Sequence, residues 1–536
     1  MAARELGRGE TADAVVVGGG PNGLVAAAVL ARAGWDVVVV EANDRVGGAV
    51  RSAELWPGVT ADLFSAFYPL AAASPAIRSL ELERHGLTWT SAPTVLAHCA
   101  DAADADCPVI HPDPETTAAA LDAASPGDGQ VWLDLCRQWR LVRSPVLGAL
   151  TTPLPPVAQV LRVLCRLGTA DALRLARMLL LPMSRLGDEL FTGDAPKLLM
   201  AGNAMHADVP MDAAGSGLFG WLLAMLAQDV GFPVPRGGAG RLAEALAAAA
   251  TSAGARIVTG DRVTSIVVGD GRALGVRTAA GHAVRARRAV LADVDAPTLF
   301  GELVGWAELP TRFRDDLARF QWDLPTVKVN WLVADGIPWT AREARSAGTV
   351  HVGAGLAGLV RWSGDLLTGR SPEQVFALVG QMTTADATRS PEGTESAWAY
   401  THLPVGRTDA GDVDRVVERL EATVEAFAPG FGARVRGRVV QRPGDLYAQD
   451  RNLYQGAVNG GSAQLHQQLV FRPTLGRPET PLRGLYLAGA STHPGGGVHG
   501  GCGWIAATSA LRAAGVRGAP RRWLAEAGMR VVYGDR

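Results

Sequence analysis

Residues 13–41 read DAVVVGGGPNGLVAAAVLARAGWDVVVVE. The apolar residues 14–17 run into glycines, a helix-compatible stretch follows over 23–33, and a second apolar run, 37–40, ends at Glu41. Strand, turn, helix and strand in that order predict a βαβ unit. Gly18, Gly20 and Gly23 stand at GxGxxG spacing, with Pro21 and Asn22 completing the turn. In such a turn the first glycine permits the tight bend, the second lets backbone approach a pyrophosphate, and the third packs helix on strand. The helix start adds free N–H groups and a positive dipole end. Glu41, followed by Ala42, stands where a carboxylate accepts hydrogen bonds from a ribose hydroxyl pair. Glycine-rich turns also arise for structural reasons alone. Here both strands, the helix and the acidic residue stand in register, which favours a dinucleotide.

The rest of the chain is compatible with that unit. Its 536 residues are 48% apolar and 19% charged, with a formal net charge of -2. This is globular composition with length for two or more domains, and the charge balance gives no reason to propose a nucleic-acid partner. Five cysteines without CxxC spacing argue against a disulfide framework or structural zinc and fit a reducing cytoplasm. The first twelve residues lack the apolar segment of a signal peptide, and no apolar run approaches the ~18 residues of a membrane span. The expected protein is cytoplasmic, at most peripheral to a membrane.

Residues 44–52, DRVGGAVRS, place Arg45, Gly47, Gly48 and Arg51 directly after the ribose-binding carboxylate. The segment resembles the second glycine motif of the FAD-binding glutathione-reductase and amine-oxidase superfamily. There the paired glycines pass close to the cofactor and an arginine offers charge to its pyrophosphate. A surface glycine loop is the alternative. Over residues 231–300 a turn enters a helix, and short β-like runs follow at 255–258, 262–268, 273–277 and 289–291, separated by DG and AG turns. In that superfamily the run matching 262–268 reaches the adenine through backbone at the position of Val263, and the last run returns the chain to the nucleotide-binding sheet.

Residues 137–187 differ in character, with eight arginines and one acidic residue, Asp171. At ~100° per residue, Arg162, Arg166, Arg174 and Arg177 share one side of a helix. A basic amphipathic helix can lie on an anionic membrane; a cap helix packed on its own domain with a solvated basic edge is the alternative. Gly168 and Pro182 interrupt the pattern.

Three segments offer chemistry. Residues 324–339 read LPTVKVNWLVADGIPW, and alternation places Lys328 and Asn330 on one strand face and Val327, Val329 and Trp331 on the other. The segment resembles part of flavin amine oxidases, in which a lysine holds a water beside the reactive flavin nitrogen; a strand lysine with its ammonium in solvent is the alternative. In residues 452–473, Asn459, Gln464, His466 and Gln467 could line a pocket, with His466 a proton acceptor or a structural histidine. Arg472–Pro473 resembles an element of carotenoid desaturases. Residues 484–514 read as a buried strand, a glycine turn and a helix from 504 to 514. Within them, STHPGGGVHGGCGW carries His493, His499 and Cys502 with no flanking carboxylate, so no metal is expected.

Taken in order, GGGPNGL at 18–24, DRVGGAVRS at 44–52, PRGGAGRLAEAL at 235–246 and LYLAGASTHPGGGVHGGCG at 485–503 resemble the phytoene-desaturase-related FAD oxidoreductases, in their pyridine-nucleotide-disulfide-oxidoreductase-domain branch. The resemblance implies an α/β fold: a Rossmann-type FAD domain of the glutathione-reductase and p-hydroxybenzoate-hydroxylase kind, from residues 1–95, 233–300 and 470–536. An α+β substrate domain with a helical cap, residues 96–232 and 301–469, is inserted in it. It implies non-covalent FAD, with Gly489, Ala490, Gly496, Gly497 and Val498 at the flavin ring. The expected reaction is dehydrogenation of an apolar small molecule by hydride transfer to flavin N5, with oxygen or a quinone as electron acceptor. Lys328 favours oxidation of an amine as the alternative; a redox-neutral isomerase or a non-catalytic flavoprotein is a third reading. Lys328, and His499 where carotenoid desaturases usually have proline, depart from that group and put a carotenoid substrate in doubt.

Overall fold

The computed structural model describes residues 9–471 and 474–534, so Arg472–Pro473 lies outside the described residues. Strand Glu10–Val17 leads through the glycine turn into helix Pro21–Arg32 and out to strand Val37–Val40, the predicted βαβ unit. The first strand is longer than its apolar run, and the helix starts at the proline, whose missing N–H costs nothing in the first turn. A seven-stranded sheet grows around this unit. Its order is Val263–Gly269, Arg272–Thr278, Ala283–Ala292, Glu10–Val17, Val37–Val40 and Arg256–Val258, with Leu485–Leu487 parallel to the end of Ala283–Ala292. The strands around Glu10–Val17 run parallel, and where residues 14–17, 37–40 and 289–292 lie side by side they are buried on both faces, which is why these stretches read as continuous apolar runs rather than alternating ones. Helices Pro21–Arg32, Gly240–Ser252 and Gly501–Ala513 cover one face, and Leu299, Phe300 and Phe313 pack on the other.

A second seven-stranded sheet has the order Val435–Gln441, Thr326–Ala334, Thr394–His402, Ala377–Gln381, Ala347–Val352, Thr94–Cys99 and Val109–Ile110. Its alternation divides the strand Thr326–Ala334 as the sequence predicts. Val327, Val329, Trp331 and Val333 join the core beneath helix Ala410–Phe427. Lys328 and Asn330 fall outside that core cluster yet are buried all the same, so the solvent-exposed lysine is excluded. Six helices from Pro114–Ala124 to Ser216–Asp229 cap this sheet around Trp132, Trp139 and Trp221.

Two expectations need correction. Helix Val157–Leu180 is broken at Gly168, whose φ of 75° is left-handed, so Arg162 and Arg166 lie on a different helical segment from Arg174 and Arg177 and do not share one stripe. The helix after the last glycine turn, Gly501–Ala513, begins three residues before the apolar stretch suggested. The reason is close packing. A side-chain carbon on Gly503 would stand 1.9 Å from the Asn22 carbonyl oxygen, so the glycines let this helix abut the start of helix Pro21–Arg32.

Candidate active site

The glycine turn shows why each glycine is needed. A side-chain carbon on Gly18, Gly20 or Gly23 would stand 2.7 Å from the Asp293 carbonyl, 2.7 Å from the Asp293 carboxylate, or 2.3 Å from the Gly18 carbonyl. Gly48, with φ 53°, brings the second glycine motif against the first: its side-chain carbon would lie 3.2 Å from the Gly20 Cα. Gly47 donates its N–H to Gly19 at 2.8 Å. Gly20, at the cap position of helix Pro21–Arg32, brings no side chain to the helix start. Glu41 is buried, and its carboxylate accepts from Gly19 N at 2.6 Å and Asn43 N at 2.8 Å, with lone pairs remaining for a further donor. Ala42 continues from it.

Asp293, at the end of strand Ala283–Ala292, was missed by sequence reasoning. Its carboxylate accepts from Gly23 N at 2.8 Å and so occupies the helix start. Burial, with the carboxylates of Asp450 and Glu41 adding repulsion, pushes it up to about 7. Burial raises Asp450 as well. The two charged arginines of the second glycine motif are placed differently. Arg45 is exposed. Arg51 donates to the carbonyls of Gly48 at 3.0 Å and Gln449 at 2.7 Å, with its guanidinium 5.1 Å over the Phe64 ring. Val263 begins an edge strand of the first sheet and is buried.

Part of this cradle opens onto a cavity of about 420 Å³. Gly20, Pro21, Asn22, Gly48, Asp293, Ala490, Gly496, Gly497, Val498 and His499 form part of its wall, and Phe67, Leu70, Phe219, Leu223, Phe232, Trp398 and Tyr400 form much of the remainder. Gly489 stands behind the wall, its missing side chain leaving room for the Val294 carbonyl, 2.5 Å from where that carbon would be. Gly496 faces Asn459, which a side-chain carbon would meet at 2.7 Å. Asn459 is held by Asp323 and by Asp208, to which its amide donates at 2.6 Å. Behind it, His402 Nε2 lies 2.6 Å from Asp208 Oδ1. Burial opposes the charge on His402, but Asp208 overrides burial and raises its pKa.

Lys328 reaches the cavity wall. Its Nζ donates to the carbonyls of Asp62 and Phe64, the latter at 3.0 Å, and lies 5.2 Å from the Trp398 ring. Burial brings its pKa down to about 7, with the Asp62 carboxylate opposing and the Arg389 guanidinium assisting. Asp62 and Arg389 form a fully buried ion pair at 2.5 Å.

The two candidate histidines separate. His499 lines the cavity, and its Nδ1 accepts from Gly501 N at 2.9 Å, so it holds the start of helix Gly501–Ala513. His466 stands outside the cavity, exposed, with Nε2 2.9 Å from Gln321 Oε1. Gln467 bonds backbone at Gln321 and Ser462, a structural role. The neighbouring Gln468, not singled out from sequence, lines the cavity. Among the described residues no group of three or more His, Cys, Asp or Glu could hold a metal ion.

The cradle fits a flavin dinucleotide: paired glycine turns admit no side chain, a helix starts at the first of them, and a carboxylate ends the second strand. Residues 16–80 match the NAD(P)-binding Rossmann-like domain and residues 157–516 match the flavin containing amine oxidoreductase family. The chain is 28% identical to the rat pyridine nucleotide-disulfide oxidoreductase domain-containing protein 2, over 93% of each chain. It is 24% identical to one of the subunits of limonene dehydrogenase from Castellaniella defragrans, over 94% of this chain and 95% of that one. Cyclohexylamine oxidase from Brevibacterium oxydans has the same fold, with a TM-score of 0.56 and 16% identity over 94% of this chain and 99% of that one. The chain belongs to the flavin-containing amine oxidoreductases and is a flavin-dependent oxidoreductase.

Proposed function

We propose that the protein binds FAD non-covalently and dehydrogenates an apolar small molecule. The observation that carries this reading is the shared wall of the cavity, glycine cradle in one part and aromatic and aliphatic side chains in the rest. In this reading Gly18, Gly20, Pro21, Asn22, Gly23, Glu41, Ala42, Gly47 and Gly48 hold the diphosphate and ribose. Arg45 and Arg51 supply positive charge, and Val263 meets the adenine through its backbone. Gly489, Ala490, Gly496, Gly497 and Val498 admit the flavin ring. Bound flavin supplies the hydride acceptor. The protein's part is to exclude water, align the substrate carbon and receive a proton. The likeness to a limonene dehydrogenase points to a hydrocarbon as the substrate class.

Amine oxidation is the second reading, favoured by Lys328 at the cavity wall. Against it, the cation position over Trp398 is already taken by the protein's own Nζ. Anaerobic mixing decides. Limonene should bleach the bound flavin stoichiometrically, and cyclohexylamine should not. The reverse result favours the amine, and an oxidised spectrum with both removes net dehydrogenation in favour of isomerisation or a non-catalytic role.

The same reading divides the chain into a flavin unit of residues 1–95, 233–300 and 470–536 and a substrate unit of residues 96–232 and 301–469. It makes oxygen or a quinone the terminal acceptor. It places the protein in the cytoplasm, in contact with a membrane surface. No helix among the described residues is long and apolar enough to cross a membrane. Helix Val157–Leu180, however, buries only Ala172, Leu175 and Met178, and leaves Val157, Val160, Leu161, Leu173 and Leu180 more than half exposed among its arginines. A surface helix of that kind suits the interface of an anionic bilayer, which is also where an apolar substrate dissolves.

A further inference from the structure

Three histidines far apart in sequence stand in a row beside the cavity. His206, on the turn Met205–Ala207, lines the wall. Its Nε2 lies 3.0 Å from Nε2 of His351, on strand Ala347–Val352. His98, on the parallel neighbour Thr94–Cys99, has its ring 5.5 Å from that of His351 and its Nε2 3.1 Å from the Ala354 carbonyl. His98 and His351 are fully buried, and Nδ1 of each has no hydrogen-bond partner among the described residues. Both orphan nitrogens converge over Gly202. A side-chain carbon there would stand 2.2 Å from Nδ1 of His351 and 2.6 Å from Nδ1 of His98. Two polar atoms so close to one point are within reach of a single bridging water.

The chemistry of the far end orients the row. The Ala354 carbonyl can only accept, so His98 carries its hydrogen on Nε2 and its Nδ1 is an acceptor. Hydrogen bonds running in one direction polarise one another. A row running in that direction through the bridging water has His351 donating from Nδ1 to the water and accepting at Nε2 from the Nε2–H of His206. The remaining nitrogen of His206, its Nδ1, is left bare. Burial keeps the row neutral: it brings His98 and His206 down to about 4 and His351 well below the usual range. The nearest carboxylate in sequence, Asp208, is committed to His402 and Asn459.

We propose that His206 takes the substrate proton during dehydrogenation, and that His351 and His98 are positioning residues that keep its Nδ1 bare. The inference rests on the dehydrogenation reading above. Bound flavin would take hydrogen with its bonding pair from one substrate carbon. The adjacent carbon loses a proton to Nδ1 of His206, and the electron pair left behind closes the carbon–carbon double bond. The bound flavin would then hold the two electrons, and the imidazole the proton.

Nitrogen-15 spectra of histidine-labelled, flavin-loaded protein near pH 7 test the arrangement without substrate. His206 should show a hydrogen on Nε2 and a bare Nδ1; an Nδ1–H tautomer or an imidazolium would overturn the proposal. In anaerobic mixing with limonene, His206→Gln keeps an N–H towards His351 and loses the basic nitrogen. The bleaching rate should fall ~10²–10⁴-fold, with flavin content unchanged. His206→Gly should regain rate when imidazole is added, which a structural role would not give. A His206→Gln protein that bleaches as fast as wild type overturns the role of the histidine alone. Wild-type protein that no hydrocarbon bleaches removes the underlying reading instead.

Discussion

Replacing Asp293 by Asn tests the cofactor cradle where the structure and the family pattern meet. The carboxylate accepts from Gly23 N at the start of the dinucleotide helix, where a pyrophosphate would bring negative charge. Burial and the Asp450 and Glu41 carboxylates push its pKa up to about 7. A folded value above the unfolded one means that its contribution to stability is complete below the unfolded value of 3.8 and is lost as pH rises through about 7. At ~1.4 kcal/mol per unit this amounts to about 4 kcal/mol, a cost of charging the buried group that Asn removes while keeping an acceptor for Gly23 N. If FAD binds only the neutral carboxyl, affinity approaches a ~10-fold fall per pH unit above 7, so binding at pH 9 should be ~50-fold weaker than at pH 7. Asp293→Asn should flatten most of that slope, leaving what Asp450 contributes, and should bind FAD more tightly than wild type at pH 9. FAD fluorescence titration of the stripped protein from pH 6 to pH 9 measures it. Parallel pH curves for the two proteins would refute the reasoning.

The remaining predictions concern other parts of the same machinery. The Lys328 ammonium, brought down to about 7 by burial, is lost as pH rises through that value, so flavin reoxidation by oxygen should slow across it. Lys328→Met should slow reoxidation ~100-fold, and an unchanged oxygen rate in stopped flow removes the lysine from that step. Gly503→Ala puts a carbon 1.9 Å from the Asn22 carbonyl and should cost ~1–3 kcal/mol in urea melts; a wild-type midpoint would mean that the two helix starts are not in tight contact. Vesicles with anionic lipid should sediment the protein at low salt, and Leu161→Asp with Leu173→Asp should abolish it; no sedimentation of wild type leaves helix Val157–Leu180 as a cap alone.

The nucleotide unit was legible because its signals are local. A valine run, three glycines at fixed spacing and one carboxylate occupy adjacent residues, and both parallel strands and the helix formed where that pattern placed them. The strand face of Lys328 was legible for the same reason, through alternation over nine residues. Its burial was not, because the carbonyls of Asp62 and Phe64 that receive Nζ come from the end of strand Val59–Asp62 and the residues just after it, some 265 positions away. Asp293 could have been suspected as the residue ending the strand next to the glycine turn. His98, His206 and His351 carry no sequence signal at all; only the parallel pairing of Thr94–Cys99 with Ala347–Val352 brings two of them together. The reverse failure is His466, which looked like a pocket residue within a polar segment and faces Gln321 at the surface. Gly168 misled differently: helical periodicity counted through a residue whose backbone is left-handed loses its phase.

The central claim is that the glycine cradle and the apolar chamber serve one reaction, removal of two hydrogens from a hydrocarbon. Product mass measures it most directly: the flavin-loaded protein is incubated without oxygen, with limonene and a quinone, and the organic phase is analysed. The account predicts a product lighter by two hydrogens, with no oxygen gained and one quinone reduced per product. Recovered limonene alone, or turnover only when an amine replaces it, would contradict it.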